Sequence, residues 1–189
     1  MDLVVIVCHY NRNLEWLSNI KYPNIVYNKN PENNSKFENN LPNVGFDTIA
    51  YLTYMIDNYE NLPDYVCFSQ DYPFDHCPSF IEKVNGFDFK TEFYPLGCTY
   101  IRDGNELEKT IEYANRNNIS YNQPIKFISS AQCIVSKKLI LKNSLEYYKK
   151  IKETLSKTEI INQTNYCVEY LWPTILNFNE ELNLSLNNC

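Results

Sequence analysis

The chain has 189 residues and a formal net charge of -6, enough to bury a core without disulfide or metal staples and most simply one domain spanning 1–189. The acidic balance argues against duplex nucleic acid as a partner, because phosphate contacts need a basic face. No stretch approaches the length of a membrane span, and the strand-like opening run Leu3 to Val7 is too short for the apolar core of a signal peptide.

Leu3 to Cys8 is a continuous aliphatic run, the pattern of a strand covered on both faces in a parallel sheet. It stops at His9-Tyr10-Asn11-Arg12, and a short helical pattern follows from Leu14 to Ile20, with Asn11 or Asn13 placed to cap it. A second strand is expected over Asn24–Asn28 after Tyr22-Pro23. The segment 29–42 is polar, rich in Asn and broken by Pro31 and Pro42, which predicts a long mobile loop with its asparagines on the surface. Apolar residues at helical spacing predict a helix over Asp47–Tyr59, and Tyr65 to Ser69 reads as a buried central strand.

Beyond Cys77 the pattern is less regular. A short helix is expected over Pro78–Asn85 and another over Glu106–Arg116, while Ile125–Ile128 and Ala131–Val135 read as strands. One long amphipathic helix is expected from Lys137 to about Leu155, and a last one from Tyr166 to about Asn177, interrupted at Pro173. Strands alternating with helices predict an α/β fold, a mostly parallel central sheet with helices on both faces. Seven cysteines occur without a Cys-x-x-Cys pair, and several lie in apolar runs, so a zinc ribbon is unsupported and reduced thiols in a cytoplasmic compartment are expected.

Three groups of residues offer chemistry. In an open α/β sheet ligands bind at the carboxyl ends of strands, and the strand ending at Ser69 is followed by Gln70-Asp71-Tyr-Pro-Phe-Asp75-His76. Asp71, Asp75 and His76 supply oxygen and nitrogen donors suited to Mn²⁺ or Mg²⁺ completed by a ligand's phosphates; turn chemistry around Pro73 accounts for the same acids. The edge of the first strand, His9, Tyr10 and Asn11, offers amides and polar side chains to a nucleotide, although no Gly-x-Gly-x-x-Gly follows it. Asn43, Gly45 and Asp47 form the third group: Gly45 permits close backbone approach and Asp47 either caps the helix or meets a ligand hydroxyl. Glu169, beside Trp172, has surroundings that raise a carboxyl pKa towards that of a general base. With two histidines and no Gly-x-Ser-x-Gly, serine or cysteine hydrolase chemistry is unsupported.

Taken together, Val4 to Asn11 with Leu14–Leu17, Ile25–Lys29, Asn43–Gly45, Ile56–Tyr59, Phe68–Gln70 with Pro73–His76, Ala131–Lys137 and Glu169–Trp172 resemble an uncharacterised protein family of fungi and large DNA viruses, and more distantly the GT-A class of nucleotide-sugar glycosyltransferases. That resemblance implies a GT-A-like (Rossmann-like) domain in which the first strand edge and the Asn43 loop face a nucleotide sugar. It also implies a divalent metal at the end of the Tyr65 strand, and contacts from Gln70, Gln132 and Lys137 to donor or acceptor. A viral origin would place the protein in the host cytoplasm. The chain departs from the class at two points: Gln70-Asp71 and Asp75-His76 stand in place of Asp-x-Asp, and Phe46 stands where many related sequences carry Arg after the glycine. The expected function is therefore sugar transfer from a nucleotide donor, with Glu169 as the catalytic base and Asp71, with Asp75 and His76, binding the donor diphosphate through a divalent ion as the other catalytic residue. The alternatives are a catalytically inactive module that binds a nucleotide or glycan, and a metal-dependent phosphoesterase.

Overall fold

The structure, a computed structural model, describes residues 1–103, 107–156 and 161–178, with residues 161–165 described by their backbone. Residues 104–106, which include the first residue of the helix expected over Glu106–Arg116, and Cys189 lie outside the described residues.

The aliphatic run forms β1 (Leu3–His9) and is buried along its whole length. Its two faces feed two cores: Val4, Ile6 and Cys8 enter one cluster, while Leu3, Val5 and Val7 enter the other. This is the period-two burial of a strand covered on both sides. The segment after it is a 3₁₀ turn, Glu15–Asn19, rather than an α-helix, and Asn13 Oδ1 accepts from Glu15 N at 2.7 Å. Strand β2 (Asn24–Asn28) pairs parallel with β1.

Residues 29–42 are not a featureless loop. They carry a 3₁₀ helix, Pro31–Lys36, and a short edge strand, β3 (Asn39–Asn40). The asparagines that look like surface noise organise this segment: Asn28 is fully buried, its Nδ2 reaches Asn40 Oδ1 and the Asn30 carbonyl, both at 2.8 Å, and its Oδ1 accepts from Asn30 N. Side-chain amides here satisfy backbone groups that a longer ladder would otherwise pair.

Helix α1 (Thr48–Asp57) leads to β4 (Tyr65–Gln70), which lies beside β1 in parallel register. Then come α2 (Phe80–Asn85), β5 (Phe93–Pro95), β6 (Thr99–Arg102), α3 (Glu108–Asn117), β7 (Ile125–Ile128) and β8 (Cys133–Ser136). The expected long helix is two, α4 (Lys137–Ile140) and α5 (Leu145–Ser156), because Ser144 restarts the helix by accepting from Tyr147 N. The last is α6 (Ile161–Ile175), with Pro173 in its final turn. Helices cover both faces of the sheet: Phe80 and Val84 of α2 enter one core, and α1, α3, α5 and α6 the other.

The main sheet has six strands in the order β3-β2-β1-β4-β8-β5, and β6 and β7 form a separate antiparallel pair. The sheet is mixed: β8 runs antiparallel to β4 and to β5. Two consequences position the site. Strand order reverses between β1 and β4, so their carboxyl ends flank the crevice where ligands bind in such sheets. Because β8 is reversed, with Cys133 opposite Phe68 and Ser136 opposite Tyr65, the turn preceding β8 reaches this same edge, while the residues following it lie at the other.

Five cysteines, Cys8, Cys67, Cys77, Cys133 and Cys167, are free and buried. Cys98 is disulfide-bonded. Among the described residues no helix is long and apolar enough to cross a membrane.

Candidate functional site

At the crevice between β1 and β4, Asp71 is turned towards the backbone. Its Oδ2 accepts the amides of Tyr10, Asn11 and Arg12 at 3.0, 3.1 and 3.0 Å. After β1 the chain leaves the ladder with three consecutive N–H groups pointing one way, and a carboxylate is the acceptor such a nest favours. His9 Nδ1 stands 3.4 Å from the same oxygen without hydrogen-bond geometry, and burial lowers the imidazole pKa against the pull of Asp71. The Asp71 carbonyl also accepts from Trp16 Nε1 at 2.9 Å.

Asp75 is exposed at the end of the 3₁₀ turn Pro73–Asp75, whereas His76 faces a different cavity. Among the described residues no three or more His, Cys, Asp or Glu side chains are gathered so as to hold a metal ion. Asp71, Asp75 and His76 are therefore not gathered into one set of three ligands.

The cavity that His76 faces has a volume of about 390 Å³ and opens at the carboxyl edge, beside the end of β4. Gln70, Asp47, Ser130 and Glu169 form its polar side, with Arg102 at the wall. Gln70 bridges inward: its Oε1 accepts from Ser130 Oγ at 2.9 Å and its Nε2 donates to the Tyr72 carbonyl at 2.6 Å. Ser130 N donates to Glu169 Oε1 at 2.9 Å. Ser130 and Ala131 both have φ of +53°, a left-handed conformation rare for residues with a Cβ and often found where a site demands it. Gly97 allows the approach of this turn, since a Cβ there would lie 2.5 Å from the Ser129 carbonyl oxygen.

Two carboxyls with perturbed acidity meet in the cavity. Glu169 is pushed up to about 7, chiefly by burial and also by the nearby charge of Asp47, with the Ser130 amide pulling the other way. Asp47 is pushed up to about 6 by burial, with Lys29 opposing and Asp71 adding. Asp47 stands at the N-terminus of α1 but makes no capping hydrogen bond; its carboxylate lines the cavity and meets the Cys8 thiol, which opposes the effect of burial. Behind it Lys29 is buried, and its Nζ donates to the Phe46 carbonyl at 2.7 Å. Gly45 is buried with φ of +64°, the backbone approach its residue type suggests, and Phe46 follows at +45° with its ring lining the cavity.

Other expected contacts are placed differently. Tyr10, Asn11 and Asn43 are exposed, and Tyr10 and Asn11 meet Asp71 through their amides. Gln132 is fully buried beneath the site, its Nε2 3.4 Å from the Pro73 carbonyl and its Oε1 unpartnered. Lys137 is at the far edge of the sheet, its Nζ donating to the Leu62 carbonyl at 3.1 Å and its amide to Asp64; the reversal of β8 carries it there. The sequence reading missed Tyr100, Arg102, Phe127, Tyr166 and Tyr170, all of which line the cavity. A second opening of about 450 Å³ is lined by Arg12, Asn13, Glu15, Trp16 and Tyr72, with the Arg12 guanidinium 5.8 Å from the Tyr72 ring centre.

Residues 3–85 match the family described as Protein of unknown function (DUF3431). The matched stretch runs from β1 through α2 and contains His9, Gly45, Asp47, Gln70 and Asp71; Glu169 and the turn at Ser130 lie beyond it. No curated protein and no solved structure matches the chain.

Proposed function

We propose that the protein transfers a sugar from a nucleotide-sugar donor to a hydroxyl of an acceptor, with Glu169 as general base. The observation that carries this reading is the Glu169 carboxyl, half-buried in an aromatic cavity at the carboxyl edge of the sheet and titrating near 7. A base so poised is ionised often enough to act at neutral pH and still basic enough to take a proton. The Ser130 amide fixes Oε1, leaving Oε2 to receive the acceptor proton. The acceptor oxygen then attacks the anomeric carbon, and the nucleoside diphosphate leaves with the bonding electrons, which inverts configuration.

The two openings flank one tripeptide, Gln70–Tyr72. A nucleotide seated beside Tyr72 would stack on its ring and meet Arg12, whose guanidinium suits a phosphate, while the sugar reaches past Gln70 towards Glu169. Asp71 acts here as a positioning residue that holds the Tyr10–Arg12 turn. A second reading, a module that binds a nucleotide or glycan without turnover, is favoured by the commitment of Asp71 to backbone amides.

The test is hydrolysis or transfer with common nucleotide sugars by wild type and Glu169→Gln, alongside thermal shifts with the nucleoside diphosphates. Removing a general base lowers kcat by about 10²–10⁴-fold while the nucleotide-induced shift persists. Nucleotide binding with no turnover by wild type supports the binding module, and an unchanged rate in Glu169→Gln removes that residue as base.

A further inference from the structure

Five aromatic side chains contributed by four separate segments touch in sequence around the mouth of the cavity. Phe46 and Tyr166 have ring centres 5.0 Å apart, Tyr166 and Tyr170 6.2 Å, Tyr170 and Phe127 4.4 Å, and Phe127 and Tyr100 5.6 Å. Successive planes differ by 26–49°, so the rings make a curved, tiled wall. Both ends and the second ring stay open to solvent: Phe46 is 43% exposed, Tyr100 44% and Tyr166 56%. Large aromatic groups left this exposed in a row mark a binding surface more often than an accident of packing.

The chemistry of the wall selects its occupant. Every neighbouring pair of rings is in contact, which leaves no slot between parallel rings for a planar base. Three of the five are tyrosines, whose hydroxyls supply hydrogen bonds beside an apolar face. The same cavity is also lined by Asp47, Gln70 and Glu169, which accept from hydroxyl groups, and by Arg102, which donates to them. An apolar aromatic face beside hydrogen-bond donors and acceptors suits pyranose rings, which carry C–H groups on their faces and hydroxyls at their rims.

We propose that the wall Phe46–Tyr166–Tyr170–Phe127–Tyr100 is a subsite for a neutral oligosaccharide, which enters as the acceptor with one hydroxyl directed at Glu169. This rests on the transfer reading for the role of the saccharide, but its binding is separable from turnover. The experiment is calorimetric titration of the full chain, without nucleotide, using neutral tetrasaccharides of glucose, xylose and N-acetylglucosamine. The corresponding monosaccharides, a mononucleoside and a tetrapeptide serve as comparisons.

One tetrasaccharide series is expected to bind at least about tenfold more tightly than its monosaccharide, because several rings are engaged at once. Tyr166→Ala and Tyr100→Ala should each weaken it by roughly five- to tenfold, whereas Tyr166→Phe retains most of the affinity. Both positions are at the surface, and circular dichroism verifies that the variants fold. Absence of saccharide binding, indifference to both alanine substitutions, or preference for the nucleoside or peptide overturns the proposal. Thermal shifts with nucleoside diphosphates on the same samples separate the two readings: nucleotide binding without saccharide binding sinks the subsite alone. Saccharide binding on the wall without any nucleotide binding sinks the transfer reading and leaves the subsite standing.

Discussion

Replacing Asp71 distinguishes a carboxylate that holds the backbone from one that does chemistry. In the native fold its Oδ2 accepts three amides at 3.0–3.1 Å, and the side chain is 15% exposed. Hydrogen bonds to a charged group contribute about 1.5–3 kcal/mol each when the donors stay dry, and nearer about 0.5–1 when water can replace the partner. Tyr10, Asn11 and Arg12 are exposed, so the lower figure applies and Asp71→Ala should cost about 2–3 kcal/mol. Asp71→Asn keeps one acceptor oxygen but loses the charge, and about half that loss is expected. For a chain of this size the alanine variant corresponds to a melting point lowered by about 4–12 °C. Urea unfolding followed by far-UV circular dichroism measures both variants, with the slope of the transition unchanged. A change below about 0.5 kcal/mol, within the range of surface substitutions, would refute the reasoning. Combined with complete loss of turnover, it would return Asp71 to the role of ligand or catalytic residue.

Two further outcomes follow from the cavity and its rim. Glu169 and Asp47 titrate near 7 and near 6, above the ordinary range of unfolded carboxyls, so both bind their protons more tightly in the folded state. Stability is therefore full below about pH 4 and falls as pH rises through about 6–7. Glu169→Gln should remove most of one such contribution, stabilising the protein at pH 8 by on the order of 2–3 kcal/mol and changing it little at pH 4; equal effects at both pH values would contradict the shifted titration. Gly45→Ala places a Cβ at φ of +64°, 2.8 Å from Leu155 Cγ. The left-handed backbone and the overpacking together should cost at least about 2 kcal/mol in urea unfolding, and a neutral result would mean that α5 yields at that contact.

What the sequence makes legible is local, and what it hides is topological. The aliphatic run of β1 and the polar burst after β4 declare themselves because burial on two faces and a strand's end each leave a mark in consecutive residues. Glu169 is readable for the same reason, as an acid among neighbouring aromatics. Lys137 is misplaced because nothing in Ala131–Val135 states the direction of β8, and reversing one strand moves its following residue to the opposite edge. The asparagine cluster behind 29–42 is hidden because residue type alone cannot separate a solvated amide from Asn28, which is fully buried. The aromatic wall is invisible to any pattern search, since its rings come from Phe46, Tyr100, Phe127 and α6, which only the fold brings together.

This difference in surroundings is why Glu169, and not the more conspicuous Asp71, is the proposed base. Asp71 sits where the strand order reverses, but there β1 ends with three amides to satisfy, and an ionised carboxylate is their best acceptor. Holding the crevice's backbone and serving a reaction are competing demands on one side chain, because its Oδ2 already accepts three amides. Glu169 escapes that conflict. It is carried on a helix, meets a single amide, and is desolvated by rings, so its proton is shared near neutrality. The amide it meets belongs to Ser130, held at φ of +53° in a turn that the Tyr51 hydroxyl contacts at 3.4 Å and Gly97 admits. Backbone held in such a conformation persists only where surrounding packing over-determines it. The acid with the perturbed titration is thus held by a turn in the left-handed conformation, the fixed placement that the proposed role as base requires.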